Sequence, residues 1–376
     1  MRGPQGRERK IVLDYDVIIT NPCGRTGELV CDSLASHGVR PYLVTGPNAH
    51  KVPHAFIKAV RDAVELTDAP MILPIFFPEV LAAHRDEFPG RLIPLSSCET
   101  ILRLDDKRSC CELAASLGIP LPRIWPDADS VEEFPCVFKR TRGQGGDSVY
   151  FPKTRRALDN LLAAPVRRRD GSPRVDEALK GRGDALIMEY IDGYDICVDA
   201  LRWDGFFHAA AYRVLEPRTK GVSTRRVSVE APRLVALTRR LLDAVDYRGV
   251  AGVDWRGRCD GDGRGSGCSG DLRERDGEGG RSGASDAPAG CALPGADERC
   301  AFAAAPDAPA GCEFSAAPVA PAGEAFFLEC NPRFSGGLES AVASGFDIPW
   351  LYWQLAHGIP VDPLSIPFTP GLVTGV

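Results

Sequence analysis

The sequence is short of several things, and each shortage removes a class of function. It has no excess of basic charge: 45 Lys and Arg stand against 51 Asp and Glu, for a formal net charge of −6. A chain of that sign carries no electrostatic footprint for nucleic acid. No apolar run reaches the roughly 18 residues that a membrane-spanning helix needs. The apolar stretch after Arg2, Arg7, Arg9 and Lys10 is broken by Asp14 and Asp16, so it does not read as a secretory leader. The six histidines show no metal-ligand spacing, and the five tryptophans are scattered rather than grouped as a stacking platform. Among 13 cysteines there is no Cys-x-x-Cys pair. Cys136, Cys197 and Cys330 lie in apolar strands, where reduced cysteine behaves as a small hydrophobe. This usage points to a reducing, cytoplasmic setting rather than a disulfide framework. A Walker loop, Gly-x-x-x-x-Gly-Lys-Ser/Thr, is absent. In the turn 21–27, which follows a strand and opens a helix, the dinucleotide pattern Gly-x-Gly-x-x-Gly is met only at Gly24 and Gly27, which argues against NAD there.

What is present is an ordinary globular composition, 44% hydrophobic and 26% charged over 376 residues. That length suits two or three domains. A strand at 17–20, a turn at 21–27, a helix over 28–37 and a strand at 41–44 set up a β-turn-α-β rhythm. It continues through a strand at 71–74, a helix near 79–85 and a strand at 91–95. Residues 14–106 therefore read as an α/β domain with an open parallel sheet. A helix opens at Asp105-Asp106-Lys107 and is stopped by Gly118, Pro120 and Pro122. From Cys136 onward the texture is strand-rich: 136–140, 148–151, 185–190, 195–202 and 206–214, then a helix over 235–245 and strands at 249–255 and 325–331. A final helix ends over 351–357. Residues 257–322 differ from all of this. They are rich in Gly, Ala, Asp, Pro and Ser, repeat Ala-Pro-Ala-Gly-Cys at 287–291 and 308–312, and hold five cysteines at spacings of nine or more. They read as a disordered insertion between adjacent strands, since they cannot bury enough surface to offset ordering entropy.

The most telling stretch is Glu329-Cys330-Asn331-Pro332-Arg333, at the end of the last of these strands. Glu329 and Asn331 alternate along the strand and point one way. A carboxylate and an amide oxygen suit Mg²⁺, and Arg333 suits the phosphate that Mg²⁺ accompanies. Upstream stand Lys107, Lys139 on strand 136–140, the glycine-rich loop 142–148, Glu189 to Asp195 after strand 185–190, and Asp254. Each alone has a plain alternative. Lys107 can be a helix-start surface lysine and Lys139 an edge-strand charge. The loop can be a hairpin turn, although three glycines in four positions exceed what a turn needs and free backbone N–H groups for phosphate. Glu189 and Asp195 can be solvated strand-end charges, and Asp254 a turn residue.

Together these residues resemble the ATP-grasp superfamily over most of 100–360. Asn331-Pro332-Arg333-Phe334-Ser335 and Ala343-Ser344-Gly345-Phe346-Asp347-Ile348-Pro349 are most similar to its carbamoyl phosphate synthetase branch. The resemblance implies an α+β ATP-grasp fold of two lobes, 107–188 for the smaller and 189–256 with 323–376 for the catalytic one, behind the α/β domain 14–106. It implies ATP and one or two Mg²⁺ ions, with Mn²⁺ an acceptable substitute. Lys107 and Lys139 would contact the α- and β-phosphates, and Arg142, Gly143, Gly145, Gly146 and Ser148 would close over the β- and γ-phosphates. The backbone of Glu189, Tyr190 and Ile191 would hold adenine, and Glu189 or Asp195 the ribose. Asp254, Glu329 and Asn331 would hold metal. Arg333 and Lys139 would be the catalytic residues. The activity implied is a carboxylate–amine, or carboxylate–thiol, ligase working on small molecules through an acyl phosphate, and relatives of this kind commonly form homodimers. Where the branch has Gly-Val-His-Ser, this chain reads Gly221-Val222-Ser223-Thr224, which weakens the alternative of phosphorylating bicarbonate. A non-catalytic ATP-binding regulator is the other alternative. Arg25 is a candidate for the acceptor carboxylate, and Arg213, Arg218, Lys220 and Arg225 are expected on a substrate-facing loop after strand 206–214.

Overall fold

The computed structural model describes residues 14–46, 48–49, 51–142, 149–163, 185–216, 225–258 and 324–375. The first domain is built on β1 (Val17–Thr20), α1 (Gly24–Ser36), β2 (Pro41–Val44), α2 (Pro53–Thr67), β3 (Met71–Pro74) and α3 (Pro78–Ala83). Its parallel sheet has the order β2-β1-β3. The expected strand at 91–95 is not formed; Leu92 makes only an isolated parallel bridge to Met71. Pro94 has no N–H to extend such a ladder. One face of the sheet (Ile18, Ile72) packs on Phe56, Ile57 and Val60 of α2. The other (Val17, Ile19, Met71, Leu73) packs on residues from the far end of the chain, including Phe334, Leu338 and Tyr352. The first domain is thus fastened by its core directly behind the Asn331-Pro332-Arg333 segment.

Two helices lead to the second part, α4 (Cys98–Asp105) and α5 (Lys107–Ser116). Ser97 caps α4 by accepting from Thr100 N at 3.0 Å, and Asp106 caps α5 by accepting from Ser109 N at 3.0 Å. Each cap satisfies a backbone donor that the helix itself leaves unpaired. The smaller lobe follows with β4 (Ile124–Trp125), β5 (Cys136–Arg140), β6 (Val149–Tyr150), α6 (Arg155–Ala163) and β7 (Ala185–Glu189), its sheet ordered β4-β7-β5-β6. Strand alternation divides it. Cys136, Phe138, Ala185 and Ile187 line its own core with Leu158 of α6, whereas Leu186 and Met188 face the larger lobe.

The larger lobe holds β8 (Gly193–Trp203), β9 (Phe206–Glu216), β10 (Arg225–Val229), α7 (Pro232–Asp243), β11 (Gly249–Arg258), β12 (Ala325–Asn331), α8 (Leu338–Ala343), α9 (Ile348–Ala356) and β13 (Val373–Thr374). Its antiparallel sheet is ordered β12-β11-β8-β9-β10-β13. Ile196, Val198, Val253, Trp255 and Phe327 turn to one side, onto α5 and α7. Gly257 and Arg258, the first two residues of the segment expected to be disordered, are in β11. Residues 259–323 lie outside the described residues. The strands that flank them are neighbours, as expected, and Arg258 N donates to Glu324 O at 2.9 Å.

One irregularity in that pairing matters. Asp254 pairs with Glu329, yet its successor Trp255 pairs with Phe327, so Leu328 is an extra residue on β12. Trp255 and Phe327 meet edge to face in the core, with ring centroids 5.7 Å apart. Asp254 and Glu329 point to the opposite side. Phe327 and Glu329 are two residues apart and would share a face in a regular strand; the bulge at Leu328 separates them.

Candidate active site

The polar side of the large sheet carries Glu329 and Asn331 from β12, Asp254 from β11, Cys197 and Asp199 from β8, Tyr212 from β9 and Arg226 from β10, as strand register dictates. Glycine at 252 leaves room for the chain after Arg333 to fold over this face. A Cβ there would meet that of Ser335 at 2.9 Å.

Cations come to this face from the smaller lobe and its leading helix. Lys139, on the side of β5 away from that lobe's own core, is only 4% exposed, and its Nζ donates to Leu328 O at 2.7 Å. The carbonyl it reaches belongs to the bulge residue. Lys107, in the first turn of α5, is 6% exposed, and its Nζ lies 3.5 Å from Glu329 Oε2. Its backbone N donates to Thr141 O at 3.0 Å, which ties α5 to the end of β5. Two lysines this buried need anionic partners. Burial pushes the Lys139 ammonium below its usual range, and the Glu329 carboxylate opposes that shift. Burial pushes Glu329 up, but Lys107 and Lys139 outweigh it and hold that carboxyl below its ordinary value. Asp254 moves the other way, up to about 6, by burial first and then by repulsion from Glu329.

Asn331 Nδ2 donates to Asp254 Oδ2 at 3.2 Å and lies 3.5 Å from Glu329 Oε1. Its Oδ1 accepts from Arg333 Nη2 at 3.4 Å. The three expected metal donors therefore converge. Two facing carboxylates, one of them driven up by burial and then by the other's charge, form an environment that a divalent cation neutralises, and an amide rotated by half a turn would present its oxygen. The donor set fits Mg²⁺, or Mn²⁺, as hard-oxygen cations. Among the described residues there is no group of three or more His, Cys, Asp or Glu arranged around a metal position.

Arg333 stands over the Phe76 ring with its guanidinium carbon 5.5 Å from the centroid. Its Nη1 donates to Phe334 O at 3.1 Å, while its buried Nε has no hydrogen-bond partner among the described residues. A buried guanidinium N–H without a partner is an unmet donor that an anionic acceptor would satisfy. Arg142 is placed at the rim, mostly exposed, with Nε 3.4 Å from Asp106 Oδ2. Gly143, Gly145, Gly146 and Ser148 lie outside the described residues. Glu189 Oε1 pairs with Arg258 at 2.9 Å, and Asp195 with Arg256 at 2.8 Å. Tyr190 meets Phe151 edge-on at 5.9 Å. The expected adenine-holding backbone is partly engaged: Glu189 N donates to Arg123 O at 2.8 Å, and Ile191 O accepts from Arg256 Nε at 3.0 Å.

Several expectations change. Arg213 and Arg225 are not on a loop: they belong to β9 and β10, which pair antiparallel. The Arg213 guanidinium lies 4.1 Å from the Tyr194 ring centroid, and Arg225 pairs with Glu216 at 2.9 Å. Arg218 and Lys220 lie outside the described residues, as do Ser223 and Thr224. Arg25 is exposed and spans Glu339 at 3.1 Å and Glu28 at 3.5 Å. Cys197, expected to act as a hydrophobe, is on the polar face, and its thiol donates to Asp254 Oδ1 at 2.8 Å.

Other polar groups at the site went unnoticed in the sequence. Glu79, two residues into α3, is driven up to about 7 by burial, with Asp105 repelling it and Arg333 opposing the shift. Burial likewise raises Asp105 at the end of α4, against Lys107 and Arg333. A signal for Glu79 existed: it follows the carboxyl end of a parallel strand, where open α/β sheets bind ligands. Asp199 is 2% exposed and raised by burial, with Arg226 and Ser335 offsetting the shift.

No family model matches the chain, and no curated protein matches it by sequence. Solved structures match it across nearly its whole length. Biotin carboxylase from Campylobacter jejuni, solved as a β-γ-ATP complex, is 13% identical with a TM-score of 0.63, covering 94% of this chain and 74% of that one. L-amino acid ligase from Bacillus licheniformis is 13% identical at TM-score 0.57, covering 96% and 78%. N5-carboxyaminoimidazole synthase from Aspergillus clavatus, solved with ADP and its ribonucleotide, is 12% identical at TM-score 0.57, covering 94% and 80%. At such identity the likeness is one of fold. The chain shares the ATP-grasp fold with these proteins.

Proposed function

We propose that the chain is an ATP- and Mg²⁺-dependent ligase that activates a carboxylate as an acyl phosphate and joins it to an amine or thiol. The observation that carries this reading is that Lys107 reaches Glu329 and Lys139 reaches the carbonyl of its neighbour Leu328, with Asp254, Asn331 and Arg333 beside them. Buried cations and facing carboxylates are what a site needs when two anions, a carboxylate and a triphosphate, must meet. Nucleotide complexes of the fold neighbours support ATP as the phosphoryl donor, and one of them, the biotin carboxylase domain of Hydrogenobacter thermophilus 2-oxoglutarate carboxylase, was solved as a dimer with MgADP and bicarbonate. A homodimer is the assembly we would look for.

In the reaction, a substrate carboxylate oxygen attacks the γ-phosphorus and the bond to the β–γ bridging oxygen breaks, releasing ADP. The amine then attacks the acyl carbon, loses a proton and expels phosphate. Lys139 and Lys107 hold the phosphate oxygens, Arg333 steadies the transferring group, and Glu189 or Asp195 takes the ribose. Arg142 and the loop 143–148 would cover the phosphates. Asp254, Glu329 and Asn331 are the donors for Mg²⁺, which when bound neutralises phosphate charge. No side-chain nucleophile is required; position and charge suffice.

Release of ADP across pools of carboxylates and amines, with Mg²⁺ and ATP, is the direct test. Release that depends on one member of each pool is expected. ATP binding with no release under any pool would replace the ligase by a regulator. Bicarbonate as the carboxylate is a second reading, favoured by the bicarbonate bound in a fold neighbour; release on bicarbonate with no organic carboxylate would select it.

A further inference from the structure

The two carboxylate oxygens of Asp254 meet different groups. Oδ2 accepts from Asn331 Nδ2 at 3.2 Å, on the β12 side where Glu329 also lies. Oδ1 accepts from the Cys197 thiol at 2.8 Å, on the β8 side. Cys197 and Asp254 are register partners, so the contact is built into the pairing of β8 with β11. The flanking residues Ile196 and Val198 are buried in the core on the other face, which leaves Cys197 alone in this stretch to meet the carboxylate. An aspartate turns freely about its last side-chain bond, so a fixed donor on one oxygen decides where the other one points.

We propose that Cys197 is a positioning residue for the cation site: its S–H holds Oδ1 of Asp254 and thereby turns Oδ2 toward Glu329 and Asn331. The inference rests on reading Asp254, Glu329 and Asn331 as cation donors, and it deepens that reading by naming the group that orients one of them. Partners in the second layer of a metal site generally change affinity by about 10- to 100-fold when removed. A thiol is a weak donor, which sets the expectation at the lower end of that range.

The test measures Mn²⁺ binding directly, by electron paramagnetic resonance of free Mn²⁺ in the presence of ADP, on the full chain. Cys197→Ala and Cys197→Val remove the donor, Cys197→Ser keeps one, and Asp254→Asn removes the charged acceptor. Valine fills the space of the thiol and serves if the alanine variant does not fold. Both donorless variants should bind Mn²⁺ about 10-fold more weakly, and Cys197→Ser within about 3-fold of the unmodified chain. A purely structural role would not separate serine from valine in this way. Unmodified affinity in Cys197→Ala or Cys197→Val, with binding lost in Asp254→Asn, would overturn the role of Cys197 and leave the cation reading standing. No saturable Mn²⁺ binding by the unmodified chain would overturn both.

Discussion

The two faces of the large sheet are made by the same strands and do opposite work. On one face Ile196, Val198, Val253, Trp255 and Phe327 are buried against α5 and α7. On the other, neighbouring residues of the same strands (Cys197, Asp199, Asp254 and, past the bulge, Glu329) are polar, and Cys197, Asp254 and Glu329 hold their geometry through charge and hydrogen bonds. The apolar face supplies rigidity without direction, since burial rewards area and little else. The polar face supplies direction, and it can be precise only because the apolar face behind it does not move.

Substitutions should separate the two. Glu329→Gln on the polar face removes the charge on which both lysines converge; turnover should fall by roughly 10³-fold, with far-UV circular dichroism unchanged. Near-normal turnover would refute the assignment of this cleft. Phe327→Ala, two residues away on the other face, should instead destabilise by about 3–5 kcal/mol, read from chemical denaturation, while the protein that stays folded keeps its affinity for nucleotide. Lys139→Met should lower turnover about 100-fold and also destabilise by about 3 kcal/mol, because it strips one cation from the buried Glu329 and leaves Leu328 O without its donor. Unchanged stability would mean that Lys107 alone balances Glu329.

A finer test uses pH. Glu79 is raised to about 7 from an ordinary 4.5, so the folded chain holds its proton more tightly than the unfolded chain does. Stability linked to this group is present at acid pH and declines as pH rises from about 4.5 to about 7. Glu79→Gln should therefore melt roughly 2 °C higher than the unmodified chain at pH 8 and no higher at pH 4.5. Equal melting at both pH values would mean that Glu79 is well solvated. The smallest effect belongs to Arg25, whose ion pairs are exposed. Arg25→Ala should cost under about 0.5 kcal/mol and leave turnover unchanged.

The contrast between faces also explains what was legible in the sequence. Val17–Thr20, Pro41–Val44, Met71–Pro74, Cys136–Arg140 and Ala325–Asn331 are strands at their expected limits, because each is an apolar run bounded by turn residues or charges. The ATP-grasp fold was legible only as a resemblance, carried by Lys107, Lys139, the glycine-rich loop and the Glu329 to Arg333 segment. Arg225–Val229 was not read as a strand: it opens on two arginines, and its value lies in pairing with β9 and β13, which only the folded sheet supplies. Cys197 was misread because local composition cannot say which side of a strand faces a carboxylate. Glu79 and Asp105 were passed over because they come from the first domain and a connecting helix, and only packing carries them to Arg333.

Leu328 brings one more consequence. Its presence in the count decides which way every later residue of that strand looks. Deleting it would keep the glutamate, the asparagine and the arginine in the chain and in order, while asking the sheet to choose between burying an acid and exposing a phenylalanine. Every residue of the proposed site would still be in the chain, and the site would not form. Arithmetic, as much as chemistry, is what this strand inherits.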